Sequence, residues 1–405
     1  MSHFTYTAEK NDGEIYRGMA EAKDRFELYQ VVRREGGRII SIAEDEAKHP
    51  LSLAYWNAKL GKISEYEKIL LSRNLGAMLA AGLPLSRAFS VIERQTRNVK
   101  LASVVSHIAN DIRRGETLHE ALAKFPHVFS RLFVAMVRAG EEGGELPQSL
   151  SSVSDQMERM YTLKKKIRGA LIYPAIIVIT IIGIGTLMMI EVVPTLAQTF
   201  EEMNAKLPTS TLIVIGISNF LVQNSVLAFA LVIIALGGIY AAAHTRIGKR
   251  GLDALFLKLP LIGGVVREVN AARTARTLAS LLASGVDVLN SLDIVGDVVQ
   301  NTYFKEIIAS AKASVGRGEP LSATFTRNEH LYPAFVGEMA AVGEETGQTT
   351  EMFKRLSQFY EDEVDRKTKD MSTIIEPFLM IIIGAAVGFF AVSMISPIYQ
   401  LSQNI

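Results

Sequence analysis

Two glutamates stand between glycines at "AGEEGGE", residues 139–145, and again at "VGEETGQ", residues 342–348. Carboxylates flanked by glycine could ligate a hard cation such as calcium or magnesium, or line a phosphate-binding turn. Phosphate chemistry lacks its frame here. No G-x-x-x-x-G-K-[ST] run occurs, and no glycine-rich turn follows a credible strand. The histidines (His3, His49, His107, His119, His127, His244, His330) carry no H-E-x-x-H spacing, and no G-x-S-x-G nucleophile elbow is present. The chain contains no cysteine, which removes thiolate metal sites, disulfides and cysteine nucleophiles. The favoured reading is therefore a turn between two helices, with no catalytic, cofactor or metal role. Its glycines supply positive φ, and its carboxylates sit near the N-terminus of the following helix, where the dipole favours negative charge.

The turn is used twice because the chain is duplicated. A shift of 203 positions, the spacing from Gly82 to Gly285, overlays it on itself without a gap. Arg73 meets Arg276, and Leu79 meets Leu282. Gly115, Glu116 and Leu118 meet Gly318, Glu319 and Leu321, and Met136 meets Met339. Gly140, Glu141, Glu142 and Gly144 fall on Gly343, Glu344, Glu345 and Gly347. Pro174 meets Pro377, and Pro194 meets Pro397. This is a repeated unit of helical bundle plus membrane span.

Three apolar runs are long enough, at roughly 20 residues, to cross a bilayer. They span 170–194, 226–243 and, at the C-terminus, 371–399, and they carry only Glu191 and Glu376, both near a run's end. Such runs are rare in soluble cores. Lys164, Lys165, Lys166 and Arg168 precede the first, Arg246, Lys249 and Arg250 follow the second, and Arg366, Lys367 and Lys369 precede the third. By the positive-inside rule the N-terminus and both bundles are cytoplasmic, the 195–225 loop and a 400–405 tail are periplasmic, and the chain is multi-pass. The second span has no counterpart in the repeat; it returns the chain so that both bundles share one side. Each proline pair, Pro174 with Pro194 and Pro377 with Pro397, brackets a span and marks where it kinks on entry and ends on exit.

Within each unit the period is helical. Leu71, Leu75, Met78 and Leu79 share a stripe, and Gly82 and Gly285 stand where a left-handed cap would end a helix. Leu150, Val153, Met157 and Tyr161 recur at helical spacing, as do their partners Phe353, Leu356, Tyr360 and Val364. The bundles are expected over 64–169 and 244–370, as several short helices, the last running into the membrane helix. Residues 1–50 read differently. "FTYTAEK", "EIYRGMAEA" and "RIISIAE" alternate around a helical "DRFELYQVVRREGG", which suggests a small α/β module. A linker at 51–63, holding the single Trp56, follows. The fold class is mainly α: an integral membrane protein with two repeated bundles, three transmembrane helices and that N-terminal module.

Composition adds one exclusion. With 43 basic and 42 acidic residues, the chain has no electrostatic reason to bind nucleic acid. The opening is polar, without the apolar segment of a cleavable signal peptide.

From about residue 4 to 399 the chain resembles the inner-membrane platform proteins of type II secretion systems and type IV pili, the protein F/PilC family. The resemblance rests on "AAGLPL" at 80–85, the paired GE turns, Tyr173 with Pro174, "LPTST" at 207–211, "LPLIG" at 259–263, and Glu376 with Pro377. Gly143 replaces the usual serine or threonine of the first turn, and Asp287 stands where Pro84 does. The resemblance implies no enzyme activity and no cofactor. It implies a bacterial inner-membrane homodimer working with a hexameric assembly ATPase, pilin or pseudopilin subunits and other inner-membrane components. Some relatives hold a metal between cytoplasmic helices; Asp155 fits one such position, while Ser151 occupies the other. A transporter with parallel repeats and a passive membrane anchor are the alternatives.

Overall fold

The computed structural model describes residues 2–10, 15–22, 32, 37–45, 62–203, 207–260 and 262–403. The chain divides into two compact units: Met1–Ser64 with Ser90–His107, and Glu65–Phe89 with Ile108–Ile405. In the first unit, strands β1 (Ser2–Lys10), β2 (Ile15–Ala22) and β3 (Gly37–Asp45) form an antiparallel sheet in the order β2-β1-β3. Its register pairs Thr5 with Met19 on one side and with Ala43 on the other, and shifts between Thr7 and Ala8. The stretch expected to be helical beside the sheet, and the 51–63 linker, lie outside the described residues apart from Val32 in the one and Lys62 and Ile63 in the other.

The remaining elements are helices. α1 (Glu65–Ala80), α2 (Leu85–Gln95), α3 (Val99–Arg113), α4 (Leu118–Ala123), α5 (Arg131–Glu142) and α6 (Leu146–Leu187) make up the first repeat. Five residues in π geometry, Met188–Val192, lead into α7 (Val193–Glu202), then α8 (Thr209–Gln223), α9 (Ser225–His244) and α10 (Arg246–Lys258). The second repeat is α11 (Ile262–Ala283), α12 (Val288–Val298), α13 (Thr302–Val315), α14 (Leu321–Thr326), α15 (Ala334–Thr346) and α16 (Thr349–Gln403).

Each repeat turns its corners the same way. Gly82, Gly115 and Gly144 have positive φ, as do Gly285, Gly318 and Gly347, each 203 positions on. After α1, the Gly82 N–H donates to Leu79 O and the Leu83 N–H to Met78 O; Gly285 and Val286 repeat this on Leu282 and Leu281. These are Schellman caps, which satisfy the last carbonyls of a helix and require a residue that tolerates the left-handed region. Asp287, the departure from Pro84, caps α12 by accepting from the Asn290 N–H at 3.0 Å.

The second bundle closes around one core. Phe353, Leu356, Tyr360 and Val364 of α16 are all nearly inaccessible, at 0–3 % exposure, and pack with Leu278, Leu292, Phe304 and Phe325. Tyr332 brings a polar group into it: buried between Phe304 and Phe325, its hydroxyl lies 2.8 Å from Thr274 Oγ1. Burial pushes its pKa well above the ordinary tyrosine value. The corresponding positions in the first repeat are Leu71 and Phe129, both buried, so two apolar side chains there stand where a hydroxyl pair stands here.

Three helical runs are long and apolar enough to cross a membrane: Leu146–Glu202, Ser225–His244 and Thr349–Pro397. Their surfaces expose Ile179, Ile182, Ile234, Phe229, Ile381 and Val392 among many other large apolar side chains. Water would not tolerate so continuous an apolar belt, whereas hydrocarbon favours it.

Several sequence expectations need correction. The 195–225 segment is not a loop, since α7 and α8 occupy most of it. Helix α8 is apolar but only 15 residues long, too short to register as a span. The 400–405 tail begins inside α16, which runs to Gln403. Pro397 lies within that helix and does not end it, and Pro194 stands at the start of α7 inside a continuous helical run of 57 residues. Pro174 and Pro377, expected near the entry of a span, do lie inside helices, α6 and α16.

Candidate functional site

The glycine–glutamate motif divides its labour in a way the sequence did not suggest. Only Gly144 and Gly347 adopt positive φ. Gly140 and Gly343 are helical residues of α5 and α15, where the next helix passes against the backbone. A Cβ on Gly140 would stand 2.2 Å from Ser149 Cβ, and one on Gly343 would stand 2.9 Å from Thr349 Cα. Glycine is required at both for close approach.

The glutamates turn back to the preceding short helix, not forward to the following one. The Glu141 carboxylate accepts from the backbone N–H groups of Leu118 and His119, at 2.7 and 3.0 Å, and contacts His119 Nδ1 at 2.7 Å. Glu344 accepts from Leu321 and Ser322 at 2.5 and 3.1 Å. A negative charge on free N–H groups at a helix start satisfies donors that have no intrahelical partner. The expected electrostatics was right in kind but assigned to the wrong helix, because sequence distance hid a contact over 22 or 23 residues.

A second duplicated device fastens the long helices. The Arg276 guanidinium grips Glu361 through two hydrogen bonds of 2.7 and 2.9 Å. Arg73 pairs with Glu158 at the matching positions of the first repeat. The overlay had aligned Arg73 with Arg276, and the same shift aligns the two glutamates; that was the available signal. A third pair, Lys124 with Glu116, recurs as Arg327 with Glu319. Arg327 and Arg317 together hold the Glu319 carboxyl down to about 2.

The two repeats meet along α6 and α16, before their apolar stretches. Leu163 of α6 enters the second bundle's core, with Met160 and Ile167 packed beside it. Lys166 Nζ reaches Asp365 at 2.8 Å, and Ser280 donates to Gln156 Oε1 at 2.8 Å. Lys166, with Lys369, lowers the Asp365 pKa below the ordinary carboxylate value. On another edge Arg131 of α5 spans two residues of α12, Asp293 at 2.6 Å and Asp297 at 2.8 Å. Between α6 and α16 lies a cleft lined by Asp155, Glu158, Arg159, Thr162, Lys166, Glu361 and Asp362. Its charges are mixed. Among the described residues no cluster of three or more His, Asp or Glu is placed to hold a metal, and Ser151 is not among the cleft residues.

The prolines acquire a structural reason. The carbonyl four residues before Pro397 is that of Ser393, and proline has no N–H to give it. Thr211 of α8 supplies the donor instead, its Oγ1 lying 2.5 Å from Ser393 O. Before Pro194 the helix shifts to π register, with the Val193 N–H on Met188 O. In that register the donor for Met189 O would be Pro194. Ser218, also on α8, takes the place at 2.5 Å. Both hydroxyl residues are fully buried, in and beside a cluster of Val193, Phe200, Val214 and Met394. One short apolar helix thus closes the gaps left by Pro194 and Pro397, as backbone in an apolar medium demands.

These features fasten the helices to one another. The comparisons agree with the duplication. The family model for type II secretion system (T2SS), protein F, matches twice, at 71–194 and 274–397, which are the same segment displaced by the repeat spacing. A type IV pilus assembly protein PilC from Thermus thermophilus is 32% identical over 402 residues, covering 99% of this chain and 98% of its own. PilC from Pseudomonas aeruginosa is 34% identical over 344 residues, covering 84% and 91%. A type II secretion system protein F from Aeromonas hydrophila is 29% identical over 388 residues, covering 96% and 100%. Matched in both repeats by one family model, and along nearly its whole length by a relative, the chain belongs to the type II secretion system protein F family.

Proposed function

We propose that this chain is an inner-membrane assembly platform that couples a cytoplasmic hexameric ATPase to the building of a pilus or pseudopilus. The observation that carries the reading is mechanical continuity. Helix α16 runs unbroken for 55 residues, from a bundle core into an apolar stretch, about 80 Å at 1.5 Å per residue. Helix α6 does the same in the first repeat, and the two are cross-linked at Lys166–Asp365. A displacement of either bundle therefore reaches both membrane segments together. The relatives named for pilus assembly and for type II secretion support the destination of that motion.

In this reading the basic flanks put the N-terminal α/β module and both bundles in the cytoplasm, with α7, α8 and the C-terminus on or towards the periplasmic side. The ATPase engages the bundles, pilin-like subunits meet the membrane helices, and the working form is a homodimer. Each repeat is a lever, not an enzyme.

The test uses the full chain reconstituted in vesicles with the assembly ATPase of the same system. Stimulated ATP hydrolysis supports the platform. Solute flux without ATPase would point to a transporter, and binding without stimulation to a passive anchor. Orientation has its own measurement, helped by the absence of native cysteine. In cells with a permeabilised outer membrane, an impermeant maleimide should label a Thr209→Cys variant and spare Ser310→Cys. Both positions are exposed, so protection reports sidedness and not burial. Labelling of Ser310→Cys from outside overturns the orientation.

A further inference from the structure

Helix α10 joins the second membrane helix to the second bundle, and its two faces differ. One face is engaged. Asp253 accepts from the Thr302 N–H at 2.8 Å and from its hydroxyl at 2.7 Å. Arg250 pairs with Glu306 at 2.8 Å and lies over the Tyr303 ring, and Leu257 packs against the bundle core. The other face presents Ile247, Gly251 and Leu255 at i, i+4 and i+8, with Phe256 beside them. Ile247 is 87% exposed, Leu255 51% and Phe256 44%. Exposed Lys249 stands beside Phe256 at one margin of this apolar arc, and exposed Lys258 stands at its C-terminal end.

The helix is held at a set angle by a tight corner at each end. Thr245 Oγ1 donates to Ala242 O at 2.8 Å and accepts from the Gly248 N–H at 3.0 Å. A Cβ on Gly248 would stand 1.9 Å from Ala242 O, and one on Gly263 would stand 2.3 Å from Leu257 O. Neither corner admits a side chain without opening. Since α9 ends at His244 and α10 begins at Arg246, chain continuity fixes the height of α10 at the end of a membrane helix.

We infer that α10 lies in the membrane interface, its Ile247–Leu255–Phe256 arc in the acyl boundary and Lys249 and Lys258 at anionic phospholipid headgroups. An apolar face bordered by lysines at the mouth of a span fits a lipid surface, because the long side chains reach the headgroups while their stems cover hydrocarbon. Through Arg250 and Asp253 the second bundle is then seated on the bilayer as well as threaded through it. This rests on α9 crossing the membrane.

The single tryptophan, Trp56, makes the test direct. In a Trp56→Phe background, the full chain carrying Leu255→Trp or Ile247→Trp is reconstituted into phosphatidylethanolamine–phosphatidylglycerol vesicles. Phospholipids brominated near the headgroup end or near the chain terminus then report depth. Both variants should lose about half their emission to the shallow bromines and little to the deep ones, as an interfacial helix does. Brominated phosphatidylglycerol should quench more than brominated phosphatidylethanolamine, and Lys249→Gln with Lys258→Gln should abolish that preference. Ile234→Trp, within α9, should be quenched by the deep bromines, and Val342→Trp, on α15, by neither. If Ile234→Trp is quenched and the α10 variants are not, whether water or a second copy of the chain covers the arc, the interfacial placement is wrong while the span stands. If Ile234→Trp is not quenched, the span itself is wrong and the inference goes with it.

Discussion

The hydroxyl of Thr211 donates to the carbonyl of Ser393 at 2.5 Å, on the one oxygen that Pro397 leaves without a helical donor. A helix of the connection between repeats thereby repairs the last helix of the chain, 182 residues away. Ser218 does the same for Met189 before Pro194.

That relationship makes a reciprocal prediction. Thr211→Val should cost about 1–2 kcal/mol, because it strands a buried carbonyl. Pro397→Ala restores the N–H, so in its presence Thr211→Val should cost less than half as much. A double-mutant cycle on thermal unfolding in detergent or nanodiscs measures the coupling, and additive effects would show that the hydroxyl serves some other purpose.

The helix-start caps predict a graded loss. Glu141→Gln keeps an acceptor and removes the charge, whereas Glu141→Ala leaves the Leu118 and His119 N–H groups bare. The alanine variant should lose roughly 1–2 kcal/mol and the glutamine variant about half of that. The same order should hold at Glu344, read by the midpoint of thermal unfolding.

Close approach and positive φ can be separated by alanine. Gly140→Ala meets Ser149 at an impossible distance and should cost about 1–3 kcal/mol. Gly144→Ala meets nothing but sits at φ 72°, and should cost about 1 kcal/mol in backbone strain. Gly169→Ala, helical and in open space, should be neutral or slightly stabilising. Equal effects at all three would refute the assignment.

One ion pair occurs twice at different depths, and its energies should differ accordingly. Arg276 and Glu361 are 8% and 16% exposed, while Arg73 and Glu158 are 48% and 47% exposed. Arg276→Ala, which leaves a largely buried carboxylate with Arg159 at 3.9 Å as its remaining recorded ion-pair partner, should cost about 3 kcal/mol. Arg73→Ala should cost under about 1 kcal/mol and fade as salt is added.

Acid should loosen the second bundle through Glu319. Its carboxyl is lowered from 4.5 to about 2 by Arg327 and then Arg317. A depressed carboxylate stabilises fully above the unfolded value and loses that contribution as pH falls through the folded one. The window therefore runs from about 4.5 down to about 2. Wild type and Glu319→Gln should differ in unfolding midpoint at neutral pH and converge towards pH 2. Lowered carboxyls at Asp293, beside Lys312 and Arg131, and at Asp365, beside Lys166, act in the same direction.

Periodicity, apolar length and self-similarity were written in the chain itself. The six glycine corners, the matched helices and the three membrane runs follow from local physics: a missing Cβ, a 3.6-residue stripe, and twenty residues of hydrocarbon. What only the tertiary structure decided is which distant group completes each local deficit. Glu141 answers donors on the short helix before it, Gly140 yields space to Ser149, and Thr211 and Ser218 stand in for the N–H groups that two prolines lack. A proline announces a gap in its own helix, but a sequence carries no distance between that gap and the hydroxyl that closes it; packing alone brings them together.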